Sequence, residues 1–146
     1  MAAMSNYLEN KIVDWLLRAQ AFTPPATVYV ALFTATPTDA GGGTEVSGGS
    51  YARVAVTSSL ANWAGTQGNG TTVASSGTGG TTSNNTAIAF PTPTANWGSI
   101  VAMGVFDAAT AGNLLFFSAL TNAKTVNNGD AAPSFPAAAL TFQVDN

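Results

Sequence analysis

Residues 27–36 read TVYVALFTAT. The stretch is dense in β-branched and aromatic side chains, with no Gly, Pro or charge inside it, and it reads as a strand. It decides the fold class because a different period runs up to it. From Asn6 to Ala21 the apolar residues Leu8, Ile12, Trp15, Leu16 and Ala19 recur three and four apart, which is one face of a helix. Asn6-Tyr7-Leu8-Glu9 has the form of a capping box, and Asp14 and Arg18 stand four apart for a solvent-side pair. Thr23-Pro24-Pro25 then stops the helix, because proline lacks the N–H and restricts the residue before it.

Beyond Pro25 the reading is strand and turn. Tyr51–Ser58 alternates Tyr51, Arg53, Ala55 and Thr57 against Ala52, Val54 and Val56. Thr86–Phe90, Ile100–Phe106, Asn113–Leu120 and Lys124–Val126 follow as short strands. Gly112 and Asn128-Gly129 mark tight turns. In Ala139–Val144, the residues Leu140, Phe142 and Val144 are expected inward, with Thr141 and Gln143 outward. About seven short strands after one helix predict a mainly β, single-domain antiparallel β-sandwich with an N-terminal α-helix. The helix is expected over about residues 6–21 and the sandwich over about 27–146. Residues 65–86 are a Gly/Ser/Thr-rich, low-complexity loop, expected to be disordered or ordered by another subunit.

The chain has 146 residues, of which 46% are hydrophobic and only 8% charged. Soluble domains average about 25% charged residues. Such a surface offers little electrostatic repulsion between copies, so burial against other subunits is expected. The net charge is −3, with no basic patch, which excludes phosphate-driven binding of nucleic acid. The start has no basic region followed by an apolar run, so it does not read as a secretory signal. The most apolar segment, Ile12–Leu17, is short and interrupted by Asp14, so no membrane span is expected.

There is no His and no Cys. Most nucleophile–base pairs and thiolate metal sites disappear with them. Lys11 and Lys124 lie in no Ser-x-x-Lys frame. Asp39, Glu45, Asp107 and Asp130 are the carboxylates available for paired acid–base work or calcium, yet all sit in Gly-rich turns, where such side chains close the turn. Trp63 and Trp97 could form a sugar-stacking platform, or pack in the core. No catalytic, cofactor or metal residue is therefore assigned, and no enzyme activity is expected. Glu45 and Arg53, on either side of Ser47-Gly48-Gly49-Ser50, remain as an opposite pair in a nearly uncharged region. They are expected to fix this loop or to bridge to a neighbouring subunit.

Three segments carry a family resemblance: NYLENKIVDWLLR leading into VYVALFTATPTDAGGGTEVSGGSYARV; AIAFPTPTANWGSIVAMGVFDAATAGNLLFFSAL; and the Gly129-Asp130 turn with the final LTFQV. The order is similar to a family of small bacteriophage virion proteins labelled tail fibre, minor tail or structural proteins, some of them similar to capsid decoration proteins. The resemblance implies a virion structural protein, assembled in the host bacterial cytoplasm. The first expectation is a capsid cement protein, a homo-oligomer with a trimer favoured, bound to the major capsid protein. The alternative is a tail or tail-fibre-associated protein bound to tail proteins and carrying, in one form, a host-glycan-binding module.

Overall fold

The structure, a computed structural model, describes residues 2–144. In chain order its elements are β1 (Ala3–Met4), α1 (Asn6–Leu17), β2 (Thr27–Ala35), β3 (Thr44–Glu45), β4 (Val54–Thr57), β5 (Thr81–Ser83), β6 (Ile88–Ala89), β7 (Gly98–Phe106), β8 (Leu114–Val126), β9 (Ser134–Phe135) and β10 (Thr141–Gln143). The main sheet has six strands in the order β1-β8-β7-β2-β3, with β4 also on β2. Every recorded pairing between these strands is antiparallel.

The period-two stretch that opened the sequence reading is the centre of this sheet. Val30 and Leu32 point to one face and Ala31 and Phe33 to the other, all buried. On the first face, Val30, Leu32, Val56, Ile100, Met103 and Val105 meet Ile88, Phe90, Leu140 and Phe142. Those four come from the segments around two small sheets, β10-β5 and β6-β9. The second layer of this sandwich-like fold is thus two short ribbons rather than one sheet. The register of β7 on β8 slips between Ile100 and Ala102, so Ile100 and Met103 both reach this core. The opposite face is made of small residues and one aromatic pair, Phe33 stacked on Phe106 with centroids 6.2 Å apart.

Several expected boundaries move. The helix is capped by Ser5, not Asn6: its Oγ accepts Leu8 N–H at 3.3 Å and also donates to the Leu114 carbonyl. The pairing of β1 with β8 places Ser5 there, and that tertiary bond overrides the Asn6–Glu9 box. The helix ends at Leu17, because Ala19 turns left-handed (φ 54°) and Gln20 N–H returns to Asp14 O, well before the proline pair. The strands expected at 113–120 and 124–126 are one 13-residue strand. Leu140 and Phe142 are buried as expected, but Val144 is exposed, since the last short ribbon ends at Gln143.

Residues 65–86 are more than a bare loop, because contacts within the chain order them. Thr81–Ser83 pairs with β10, and the rest is tied by its own polar groups. Gln67 Nε2 donates to Ala74 O at 2.7 Å, Thr66 Oγ1 to Ser76 O at 2.9 Å, and Gly70 N–H to Asn85 Oδ1 at 2.8 Å. A segment with little to bury is stabilised here by satisfying its backbone locally.

Candidate functional site

Strand β2 changes neighbours along one edge. It pairs with β4 as far as Val30 and with β3 from Phe33. Leu32 falls between them. Its carbonyl accepts Val46 N–H at 3.0 Å, and its own N–H is taken by the Tyr51 hydroxyl at 2.9 Å. The hydroxyl therefore fills a gap in the ladder where a buried N–H would otherwise have no partner.

From there a chain of polar contacts runs outward. The Tyr51 hydroxyl donates to Glu45 Oε1 at 3.0 Å. Arg53 meets the same carboxylate in two places, Nε to Oε1 at 2.8 Å and Nη2 to Oε2 at 2.7 Å. This is the fork-on-fork geometry for which a guanidinium is suited. The remaining nitrogen, Nη1, donates to Ala108 O and Ala111 O, each at 2.8 Å. Beneath it the Phe106 ring centroid lies 3.5 Å from Cζ, a cation–π contact. The Arg53 side chain is only 7% exposed and that of Glu45 26%. One arginine thus ties β3 to the turn between β7 and β8.

That turn is closed independently by Asp107, whose two oxygens accept Asn113 N–H and Asn113 Nδ2 at 2.7 Å each. Ala111 and Gly112 take left-handed φ of 51° and 72°, which aims the 108 and 111 carbonyls at Arg53. Burial pushes the Tyr51 phenol well above its ordinary range, and the Glu45 charge adds to this, while the Leu32 N–H works the other way.

The loop 47–50 is held by its far side. Trp97 Nε1 donates to Gly49 O at 2.9 Å, Thr94 N–H to the same carbonyl at 3.0 Å, and Ser50 Oγ lies 2.8 Å from Thr94 Oγ1. A Cβ on Gly49 would meet Ala95 Cβ at 2.9 Å and Trp97 Nε1 at 3.0 Å, with φ at +56° besides. Tyr51 stacks at the end of this loop between Phe90, 6.2 Å away, and Trp97, 5.3 Å away and edge-on. The expected alternation from Tyr51 is broken, because the strand begins only at Val54.

The other residues singled out in the sequence are dispersed. Asp130 Oδ2 accepts Asn127 N–H at 2.7 Å and closes its own turn. Asp39 borders an open cleft of about 310 Å³ with Asn6, Tyr7, Phe106 and Asn113. Trp97 is buried, and Trp63 lies half-buried against Phe142 at 5.6 Å, so the two do not form an exposed stacking platform. Among the described residues no three acidic, His or Cys side chains cluster as a metal site would need.

Sequence reasoning missed Asn84 altogether. It is 1% exposed and holds the final segment to the sandwich. Its Nδ2 donates to Thr86 O and Pro136 O at 2.8 Å, its Oδ1 accepts Leu140 N–H at 2.9 Å, and its carbonyl accepts Ala138 N–H. In sequence it looks like one more polar residue in a Thr/Ser/Asn tract. Also missed was the outer part of α1. Leu8 is buried and Tyr7 and Ile12 pack on the core, but Trp15, Leu16 and Ala19 of the expected inward face stand in solvent. The helix runs past the sheet that covers its first turns.

The site is therefore a clamp, in which one guanidinium holds a carboxylate, two turn carbonyls and an aromatic ring. A family model for the podophage GP4 fiber I protein gp80 matches residues 3–143. The chain belongs to this family. No curated protein matches it. The fiber I match includes both halves of the clamp, the 65–86 segment and the exposed helix. It makes the chain a phage virion structural protein of the tail-fibre kind. It does not support the narrower expectation of a capsid cement protein.

Proposed function

We propose that this fiber I family chain is a tail-fibre-associated structural component of a podophage, a non-catalytic β-module that works by being held between neighbours. The observation that carries this reading is the family match, which runs across nearly the whole chain and names a fibre. The physical character of the molecule agrees with it. The nearly buried arginine is spent on internal bonds that tie a loop, a strand and a turn together. Such a clamp supplies rigidity, which a connector needs, rather than a poised acid or base.

Immunogold labelling of intact virions with antibody against this chain tests the proposal. Label at the tail, with a few to a few tens of copies per particle by quantitative mass spectrometry, is the expected result. Label over the head with hundreds of copies would overturn it and restore the cement reading.

A further inference from the structure

Two steps of the chain, Asn69-Gly70 and Asn128-Gly129, join an asparagine to a glycine. In such a step the asparagine side chain can react with its own backbone, because glycine has no side chain to hinder the approach. The glycine nitrogen, once hydroxide has taken its proton, attacks the asparagine Cγ. The N–Cγ bond forms, the Cγ–Nδ2 bond breaks and ammonia leaves. Water then opens the succinimide ring at one carbonyl or the other, giving aspartate or isoaspartate. Both asparagines are exposed, and neither side-chain amide has a partner among the described residues, so both electrophiles are free.

The nucleophiles are not. Gly70 N–H donates to Asn85 Oδ1 at 2.8 Å, and Gly129 N–H donates to Pro93 O at 3.1 Å. Neighbouring bonds hold both places still. Asn85 Nδ2 donates to Thr71 O at 3.1 Å and to Leu60 O at 3.3 Å. In the other turn Asn128 N–H donates to Asn96 Oδ1 at 2.8 Å and Asn127 N–H to Asp130 Oδ2 at 2.7 Å. A peptide group is planar, so an N–H anchored to an acceptor fixes which way its nitrogen faces, and the bonded proton is harder to remove.

We propose that Asn69 and Asn128 are latent sites of self-modification, each kept closed by the hydrogen bond on the glycine that follows it. Modification then proceeds only through local opening of that bond. The second site has the longer reach. Its turn docks on residues 93–97, whose Thr94 and Trp97 hold the Gly49 carbonyl in the loop before Tyr51. Isoaspartate routes the main chain through Cβ and Cγ, which lengthens this turn by one carbon, and either product adds a negative charge to a chain already at −3. This inference goes beyond the fibre reading and stands without it.

The test incubates the full chain in mildly alkaline buffer, folded and in urea. Trypsin, cutting after Arg53 and Lys124, puts the two asparagines on separate peptides, which mass spectrometry and an isoaspartate assay then follow. Both asparagines should convert about tenfold or more slowly in the folded chain, the scale of one hydrogen bond's opening equilibrium. Asn85→Ala removes the Gly70 acceptor and should bring Asn69 toward its rate in urea while Asn128 stays slow. Asn85→Asp keeps the acceptor oxygen but loses both Nδ2 bonds, and should leave Asn69 slow. Amide hydrogen exchange reads the parent without substitution: Gly70 and Gly129 N–H should both be protected. Equal rates in the folded and unfolded chain overturn the proposal, as do unprotected glycine amides. So does an Asn85→Asp chain that reacts as fast as Asn85→Ala, because loosening of the loop rather than loss of the glycine bond would then set the rate. Faster conversion of Asn128 in Asn85→Ala overturns it too, since the cause would be opening of the whole chain.

Discussion

The Tyr51 hydroxyl donates a hydrogen bond to Glu45 Oε1 while accepting one from Leu32 N–H, so a single oxygen atom joins the sheet edge to the carboxylate that Arg53 grips. Removing that atom isolates the consequences cleanly.

Tyr51→Phe keeps the ring between Phe90 and Trp97 but leaves Leu32 N–H without an acceptor and Glu45 with one donor fewer. An unsatisfied buried N–H costs about 1–3 kcal/mol. Chemical denaturation should show a loss of this size with an unchanged m-value; a loss below the scatter of the measurement would mean that water replaces the hydroxyl.

The phenol also sets an alkaline limit. Its folded-state pKa lies above the ordinary value near 10. Above that ordinary value the unfolded chain releases the proton and the folded chain keeps it, so ν_U falls below ν_N and stability drops as pH rises. Below it the contribution is fully present. Denaturation midpoints taken at increasing pH should hold level up to about pH 10 and then decline. In Tyr51→Phe the decline should be shallower; an identical slope would assign it to other groups.

Arg53→Lys should be the costlier half of the ion pair to change. A lysine keeps the charge but cannot fork onto Glu45, reach both turn carbonyls and lie on Phe106 together. A loss of about 2–4 kcal/mol is expected, against about 1 kcal/mol for Glu45→Gln, whose carboxylate is partly solvated. Thermal melts of both variants give the order. Equal losses would show that the carboxylate, not the carbonyl contacts, carries the clamp.

Gly49→Ala introduces a methyl group against Ala95 and Trp97 at a left-handed residue. It should lower stability by more than 1 kcal/mol and loosen Tyr51. Near-ultraviolet circular dichroism should report the change in aromatic packing. An unchanged spectrum and melting point would mean that loops 47–50 and 93–97 can separate without cost.

Asn84→Ala should cost about 1–3 kcal/mol, chiefly because Leu140 N–H loses its acceptor in a buried place, while the Pro136 carbonyl also loses a donor. Limited proteolysis should then cut within 136–144 before the central sheet. Simultaneous digestion of the whole chain would show that this segment and the sheet unfold as one.

What the sequence revealed was local. TVYVALFTAT and the Leu140/Phe142 alternation announce their faces through period two, while IVAMGVF announces a strand whose bulge after Ile100 breaks that period. The Glu45–Arg53 pair was noticeable because charge is scarce around it. Tyr51 as the bridge to Leu32 was not legible, since it depends on a gap between β3 and β4 that exists only once β2 has chosen both. Asn84 reaches 52 and 56 residues ahead, and nothing nearby marks it. Trp15 and Leu16 follow the helical period faithfully; the period says where they point, not whether anything is there to meet them.

The outer strands of the main sheet bear on a different hazard. On one side β8 is bordered by the two-residue β1, and on the other β2 is bordered by the two-residue β3 and the four-residue β4. A chain with so few charges has little repulsion to stop sheets from zipping together backbone to backbone. Ragged, staggered borders deny an incoming strand a straight row of free amides and carbonyls. Such borders work against the seeding of fibrils wherever copies of the chain are crowded together.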